Sequence, residues 1–357
     1  MYENNYDLMQ KVIENQALEL ALLGHKLKHY EMCDTGLLFG DFLLSWLDIK
    51  ANEVQVNTIA EYRGIVTKHI LPYFNQLSKT LQGVSAKDIE DYYQYKLRSG
   101  MYSNTVTKHH TLLYAAFMYA FRNDMVISNP MQKVQRPKEY DFHPGFYSPL
   151  EAQELLIKAQ GHRHYVAIVI ALILGLRRSE VIGLKWRSIN LREGIIKIEN
   201  KAIKHNGNDI ILSKMKTSSS YRILKMPTQL TVFFNQLYEH QQKIKKTIAK
   251  DKKANFDYVC IDDNGNRFTL NSVTVAFPRL LKKIGMPPIR FHDLRHSCAS
   301  ILLNNGCNMK QIQEWLGHST YNTTAKYYAH LDMFNKEVVA VKLDGLLSLD
   351  AYSGYIG

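Results

Sequence analysis

The run VAIVIALILGLRRSEVIGLKW, residues 166–186, decides how the second half of the chain folds. Its first part, VAIVIALILGL (166–176), is apolar and too short to span a bilayer, so it reads as a buried core helix. Its second part, GLRRSEVIGLKW (175–186), sets Arg177 at a helix start directly after that buried run. A charge that emerges beside a core helix is a candidate for chemistry.

Upstream, SPLE (148–151) opens the domain with a serine N-cap, a proline at the first helical position and a glutamate at the capping-box site. Before it, SNPMQKVQRPKEYDFHP (128–144) has three prolines and no apolar period. It reads as a basic linker over 131–144, and Lys133, Arg136 and Lys138 could cross a phosphate backbone or solvate a loop. Residues 36–130 read as a helical domain. Phe39, Phe42, Leu43, Trp46 and Leu47 recur at helical spacing, Ser85 and Asp88 form a capping box, and Val106, Leu113, Phe117 and Phe121 share a helical face. The tyrosines of this domain and the His109-His110 pair read as core and surface residues. The first 35 residues are a helical segment with Met9, Ile13, Gln16, Leu20, Leu23, Leu27 and Tyr30 on alternating steps of four and three. That pattern fits a short coiled coil suited to oligomerisation and equally a helix packed on its own body.

Downstream, GIIKIEN, DIILSK and SSYRILKM read as three short strands, with a strand-turn at YVCIDDNGNR. Helices resume at TQLTVFFNQLYEHQQKIKK and dominate to the end. The expected fold class is mainly α with a small antiparallel β-sheet, in two domains, the second over 145–345 with a tail to 357. Toward the end, LDMFNKEVVAVKLDGLLSLD (331–350) carries Phe334, Val338, Val339, Val341, Leu343 and Leu346 in a loose apolar pattern.

The composition bounds the partner. Forty-five lysines and arginines against 33 acids give a net charge of +12 in 357 residues. An excess of this size favours a polyanion, nucleic acid first and acidic membrane second. Residues 1–35 hold three lysines and six acids, a net −3, so the remainder carries +15. Four cysteines without CxxC spacing fit a reducing cytoplasm and neither a disulfide scaffold nor a zinc finger. No signal peptide or membrane span is read, and no phosphate-binding glycine motif supports a nucleotide cofactor.

Five stretches carry polar groups beside apolar helices. Arg177 lies in GLRRSEVIGLKW, Lys216 in KTSSSYR at a strand-turn, His292 and Arg295 on one helical face in FHDLRHSCAS, and His318 in EWLGHST. TTAKYYAHL (323–331) adds the Tyr327-Tyr328 pair. HDLRH has two histidines four apart and so resembles a zinc-hydrolase motif, but with aspartate for glutamate and Arg295 beside the would-be cation. The other chemistry is metal-free phosphoryl transfer. Arginines suit the nonbridging oxygens of a phosphodiester, histidine exchanges protons near neutrality, a lysine can protonate a leaving alkoxide, and a tyrosine becomes a nucleophile when cations stabilise its phenolate.

GLRRSEVIGLKW, KTSSSYR, HDLRHS, LGHS and YAHL, in this order and at these separations, together resemble the tyrosine recombinase family, the phage-type integrases. The resemblance implies a helical core-binding domain followed by a catalytic domain, acting on double-stranded DNA as a homo-tetramer in a synaptic complex. It implies no metal or cofactor, and accessory DNA-bending or directionality proteins as further partners. Carried over position by position, it implies that Arg177 and Arg295 clamp the scissile phosphate and Lys216 protonates the departing 5′ oxygen. His292 would assist proton transfer and His318 would bond a phosphate oxygen. Glu180 and Asp293 match acidic positions that support the site. The family's nucleophile is followed by a small residue and a histidine, which Tyr328 has in YAHL and Tyr327 lacks. The expected use is integration or excision of a mobile element, with chromosome-dimer resolution or inversion, and more remotely a type IB topoisomerase, as alternatives. The acidic start departs from integrases that begin with an arm-site domain, and points to a protein partner instead.

Overall fold

The computed structural model describes residues 36–140, 145–205, 207–213, 221–248 and 254–317, with a few positions between 16 and 21. Most of the acidic segment 1–35, Lys216, His318, the Tyr327-Tyr328 pair and the tail pattern at 334–346 therefore lie outside the described residues. The chain divides into two compact units, Met1–Phe142 and His143–Gly357.

In the first unit, α1 (Phe39–Lys50), α2 (Val56–Ile65), α3 (Leu71–Leu77), α4 (Ala86–Arg98) and α5 (Ser103–Arg122) enclose one core. The five apolar positions read in α1 are all buried. Phe39 stacks on Phe117 with ring centroids 5.2 Å apart and meets Phe74 edge-on at 5.0 Å, so the first, third and last helices share one aromatic centre. Pro72 has no N–H to give the preceding turn, and the helix widens over Val66–Ile70 just before it. Ser85 and Asp88 cap α4 reciprocally, as their spacing requires. His109 is buried, its Nδ1 2.8 Å from the Tyr92 hydroxyl.

Two details differ from the sequence reading. Phe121 is 39% exposed, because the last turn of α5 runs past the core that Phe117 fills. The segment read as a linker from 131 is at first part of this unit. Met131 and Val134 are buried in its core, and Ser103 and Asn104 donate to the carbonyls of Lys138 and Tyr140. Lys133, Arg136 and Lys138 point from that anchored stretch into solvent.

The second unit comprises α6 (Pro149–Lys158), α7 (Tyr165–Leu174), α8 (Arg178–Gly183), β1 (Ile189–Asn190), β2 (Ile195–Ile198), β3 (Lys201–His205), β4 (Asn208–Leu212), β5 (Arg222–Lys225), α9 (Thr228–Thr247), α10 (Leu270–Ile284), α11 (Asp293–Asn304) and α12 (Met309–Leu316). The strands form an antiparallel sheet of order β1-β2-β5, with Ile196 opposite Leu224, and a separate β3-β4 hairpin. β3, KAIKH, escaped the sequence reading because its lysines hide a strand that pairs only with the neighbour across Gly207. The expected strand-turn at YVCIDDNGNR is two isolated bridges, Lys185 to Tyr258 and Ile261 to Arg267.

The apolar run is α7, buried on almost every side and packed on α11. Ser148 caps α6 with Glu151, and Tyr147 in front of it is pinned twice. Its N–H donates to Ser297 Oγ at 2.9 Å and its hydroxyl donates to the Pro287 carbonyl. Trp186 Nε1 donates to Gln241, whose amide donates to the Val259 carbonyl, which fixes α9 across the end of α8. Gly183 lets α8 approach the backbone of β3. A Cβ there would stand 2.8 Å from Lys201 Cα, and backbone cannot step aside as a side-chain tip can. Gly183→Ala is therefore expected to lower the stability of the second unit by about 1–3 kcal/mol, the usual cost of overpacking, read as a lower denaturant midpoint at unchanged slope.

Candidate active site

The site forms where α7 ends. Gly175 closes that helix in the left-handed region at φ +61°, and a Cβ on it would come 2.4 Å from Leu316 and 3.2 Å from Cys298 Sγ. Only glycine serves both demands. The carbonyl of Gly175 accepts a 2.7 Å hydrogen bond from Nη1 of Arg295, which rises from the first turn of α11. The Arg295 guanidinium thus reaches a carbonyl two residues ahead of Arg177, and the two charges act on each other although 118 positions separate them.

Arg177 is the N-cap of α8. Its backbone N–H donates to Glu180 Oε2 at 3.0 Å, its Nη1 to Glu180 Oε1 at 2.8 Å, and its Nη2 to the Gly317 carbonyl at 2.8 Å. The Arg177 side chain remains 32% exposed, while Glu180 is 3% exposed. Arg222, on β5, brings a third guanidinium. Its Nη2 donates to Glu180 Oε2 at 3.1 Å and its Nε to the Trp315 carbonyl at 2.9 Å. Burial alone would push the Glu180 pKa up, but the charges of Arg222 and then Arg177 outweigh it and hold the carboxylate below its ordinary value.

Burial, and then the charge of Arg177, push the Arg295 pKa down to about 9, which leaves it cationic at neutral pH. Its Nη2 is buried and, among the described residues, without a partner. Beside it, His292 caps α11 and keeps an exposed edge. Desolvation, then the charges of Arg295 and His296, hold its pKa well below that of a free imidazole, so it is neutral at pH 7 and able to exchange a proton. The His296 ring meets it edge-on at 5.7 Å.

Asp293 is committed elsewhere. It accepts the Arg290 N–H at 2.8 Å and is forked by the Arg290 guanidinium at 2.7 Å and 3.1 Å. Asp293 would have to give up Arg290 to serve in a zinc-hydrolase arrangement, and Arg295 sets a further positive charge next to the two histidines. Among the described residues no three His, Cys, Asp or Glu side chains group as metal ligands.

Of the residues read from sequence, the structure brings together Arg177, His292 and Arg295. Lys216, His318 and Tyr328 lie outside the described residues. Lys133, Arg136 and Lys138 belong to the first unit. There Arg136 pairs with Glu139 and Lys138 lies 5.9 Å from the Tyr140 ring centroid. Arg222 was not singled out from sequence. The signal was available in SSYRILKM, where alternation sets Arg222 and Leu224 on the face opposite Ile223 and Lys225.

The arrangement presents a buried carboxylate that orients guanidinium groups around an unfilled donor, with a neutral imidazole at its edge. Such a set of donors can take an anionic oxygen. Comparison with known proteins agrees. Residues 149–334 match the phage integrase family, and residues 38–97 match the phage integrase N-terminal SAM-like domain. The chain belongs to the phage integrase family. It is a tyrosine recombinase, a DNA recombination enzyme in which a SAM-like domain precedes the catalytic domain.

Its relatives include a XerC-like tyrosine recombinase of Caldanaerobacter subterraneus subsp. tengcongensis, 24% identical over 309 residues that cover 82% of this chain and 79% of the relative. The ICEBs1 integrase of Bacillus subtilis is 25% identical over 304 residues, covering 84% and 80%. In fold, the chain is similar to the Tn1549 transposon integrase in complex with circular intermediate DNA. The TM-score is 0.70 at 24% identity, over 85% of this chain and 99% of that one. A lambda integrase dimer bound to a core site has a TM-score of 0.61 at 17% identity, over 82% and 77%. Among the described residues no helix is long and apolar enough to cross a membrane.

Because the Glu180 pKa is depressed on folding, its stabilising contribution is full above the ordinary carboxylate value near 4.5 and is lost as pH falls through the folded value. Glu180→Gln should therefore cost about 3–5 kcal/mol at pH 7, as breaking a buried ion pair does, and flatten the acid limb of the stability curve. Urea titrations of both proteins between pH 3 and 7 test this. An acid limb as steep in the variant as in the wild type would assign it to other carboxylates.

Proposed function

We propose that this protein cuts and rejoins DNA at specific sites through a covalent 3′-phosphotyrosine intermediate, with Tyr328 as nucleophile. The observation that carries the reading is that Arg177 and Arg295 lie near enough for their charges to act on each other, with Arg295 Nη2 buried and, among the described residues, unpaired beside neutral His292. Charge that develops on the two nonbridging oxygens meets fixed donors in a low-dielectric setting, where they stabilise it most. Attack by the Tyr328 oxygen forms the new P–O bond as the bond to the 5′ oxygen breaks. Lys216 gives that oxygen its proton, and His292 assists proton transfer at the nucleophile. His318, which follows Gly317 in sequence, bonds a phosphate oxygen. A 5′ hydroxyl of the partner strand then attacks the phosphotyrosine, so the bond energy is conserved and neither ATP nor metal enters the balance.

Integration or excision of a mobile element is the use favoured here, supported by relatives named as an ICEBs1 integrase and a putative prophage phiRv2 integrase. Chromosome-dimer resolution is the second reading, because other relatives are named as the tyrosine recombinases XerC and XerD. Residues 36–130 would grip the duplex. Lys133, Arg136 and Lys138 would add phosphate contacts, since an exposed pair such as Arg136–Glu139 is worth about 0.2–1 kcal/mol and is readily exchanged for phosphate. The working assembly would be a homo-tetramer, in line with the lambda integrase tetramer bound to a Holliday junction, and would act in the cytoplasm. The acidic segment 1–35 would meet protein rather than DNA.

A nicked duplex carrying the attachment site, sought in the DNA flanking the gene, should trap a covalent adduct in the presence of EDTA. Tyr328→Phe should abolish the adduct and leave duplex binding intact, while Tyr327→Phe should retain it. Loss of the adduct in EDTA with rescue by zinc would overturn the metal-free chemistry, and loss with the Tyr327 variant alone would move the nucleophile by one residue.

A further inference from the structure

We infer that Arg222 is a positioning residue for Arg177, holding in one register the two groups on which Arg177 rests. The inference builds on the reading that Arg177 clamps the scissile phosphate. The Arg177 guanidinium has two anchors, Glu180 Oε1 and the Gly317 carbonyl, and they come from different parts of the fold. Arg222 touches the carrier of each. Its Nη2 takes the other oxygen of the same carboxylate, and its Nε takes the carbonyl of Trp315, two residues before Gly317. One rigid, planar fork thus spans α8 and the end of α12, and a lysine, with a single point of charge, cannot bridge both acceptors in the same way.

Competition for the carboxylate sharpens the role. With Arg222 on Oε2, Glu180 offers the Arg177 side chain only Oε1, and the second arm of Arg177 is left to Gly317. Without Arg222, only the Arg177 backbone N–H still holds Oε2, and that weaker tether lets the carboxylate tilt toward the Arg177 side chain and shift its guanidinium. Stability alone is a poor reason for a guanidinium here. The Arg222 side chain is 7% exposed, and its Nη1 is buried without a partner among the described residues. An apolar side chain of similar size would fill the core face of β5 at lower desolvation cost.

The test compares wild type, Arg222→Met and Arg222→Lys in single-turnover cleavage of the nicked attachment site. The scissile position carries either its ordinary phosphodiester or a methylphosphonate. A methylphosphonate has one nonbridging oxygen in place of two, so the guanidinium of Arg295 suffices and the placement of Arg177 matters less. On the phosphodiester, Arg222→Met should cleave about 10²-fold more slowly, the scale of a small misplacement of a reacting partner, with Arg222→Lys between it and wild type. Duplex affinity in gel shift should stay within about threefold, since the DNA-gripping surface is untouched. On the methylphosphonate the deficit should shrink below about tenfold, because the lost contact is one that only the charged oxygens use. A general structural defect lowers both substrates alike, so an equal deficit on both overturns the inference, as does undiminished cleavage by Arg222→Met. If Arg222→Met fails to unfold cooperatively, Arg222→Lys carries the same two-substrate ratio. Absence of any adduct from the wild type would sink the strand-transfer reading itself and this inference with it. Wild-type cleavage with an unaffected variant would sink only the inference.

Discussion

One buried carboxylate organises the catalytic unit. Glu180 stands among three guanidinium groups and neutralises at most one of them. Two like charges left over in a core would be expected to drive the site apart. The fold answers with main-chain oxygens. Gly175 ends α7, and Trp315 and Gly317 lie in the last turn and cap of α12. Their carbonyls accept from Arg295, Arg222 and Arg177 respectively. Helix C-termini carry both unsatisfied carbonyls and partial negative charge, so two helix ends supply much of the missing counter-charge.

That solution constrains the backbone more than the side chains. Helix ends can converge on one spot only where nothing protrudes between them. Gly175, where a Cβ would come inside van der Waals distance of Leu316 and Cys298, marks that limit for α7 and α12. Gly317 closes α12 at φ +69°, which turns the chain while its carbonyl faces Arg177. Tyr147, tied to Ser297 and to Pro287, holds the entry to the unit against the helix that bears Arg295. The site is therefore an outcome of how α7, α8, α11 and α12 end and begin.

What was legible in sequence follows the range of the forces involved. Capping boxes at Ser85 and Ser148 and the apolar run of α7 are local and were read correctly. Arg177, His292 and Arg295 stood out as polar groups beside apolar helices, but only the family resemblance joined them in one site, since no spacing rule brings together residues 118 apart. β3 was missed because lysines at both ends of its apolar centre mask the alternation. Phe121 shares the helical spacing of Phe117 yet is exposed, because spacing gives a face and not how far the partner surface extends. Arg222 was passed over because a lone arginine in a polar stretch reads as solvated. Its position on the inward side of a strand was the clue. The carbonyl acceptors carry no sequence signature at all, because every residue has one.

That last point bears on how such a site can change over time. An acceptor supplied by a side chain disappears with one codon. The carbonyls of Gly175, Trp315 and Gly317 persist through substitution and are lost only when the path of the chain shifts. The countercharge of this centre is thus inherited as shape, and surrounding side chains can drift to suit new DNA while the charged heart of the enzyme keeps its balance.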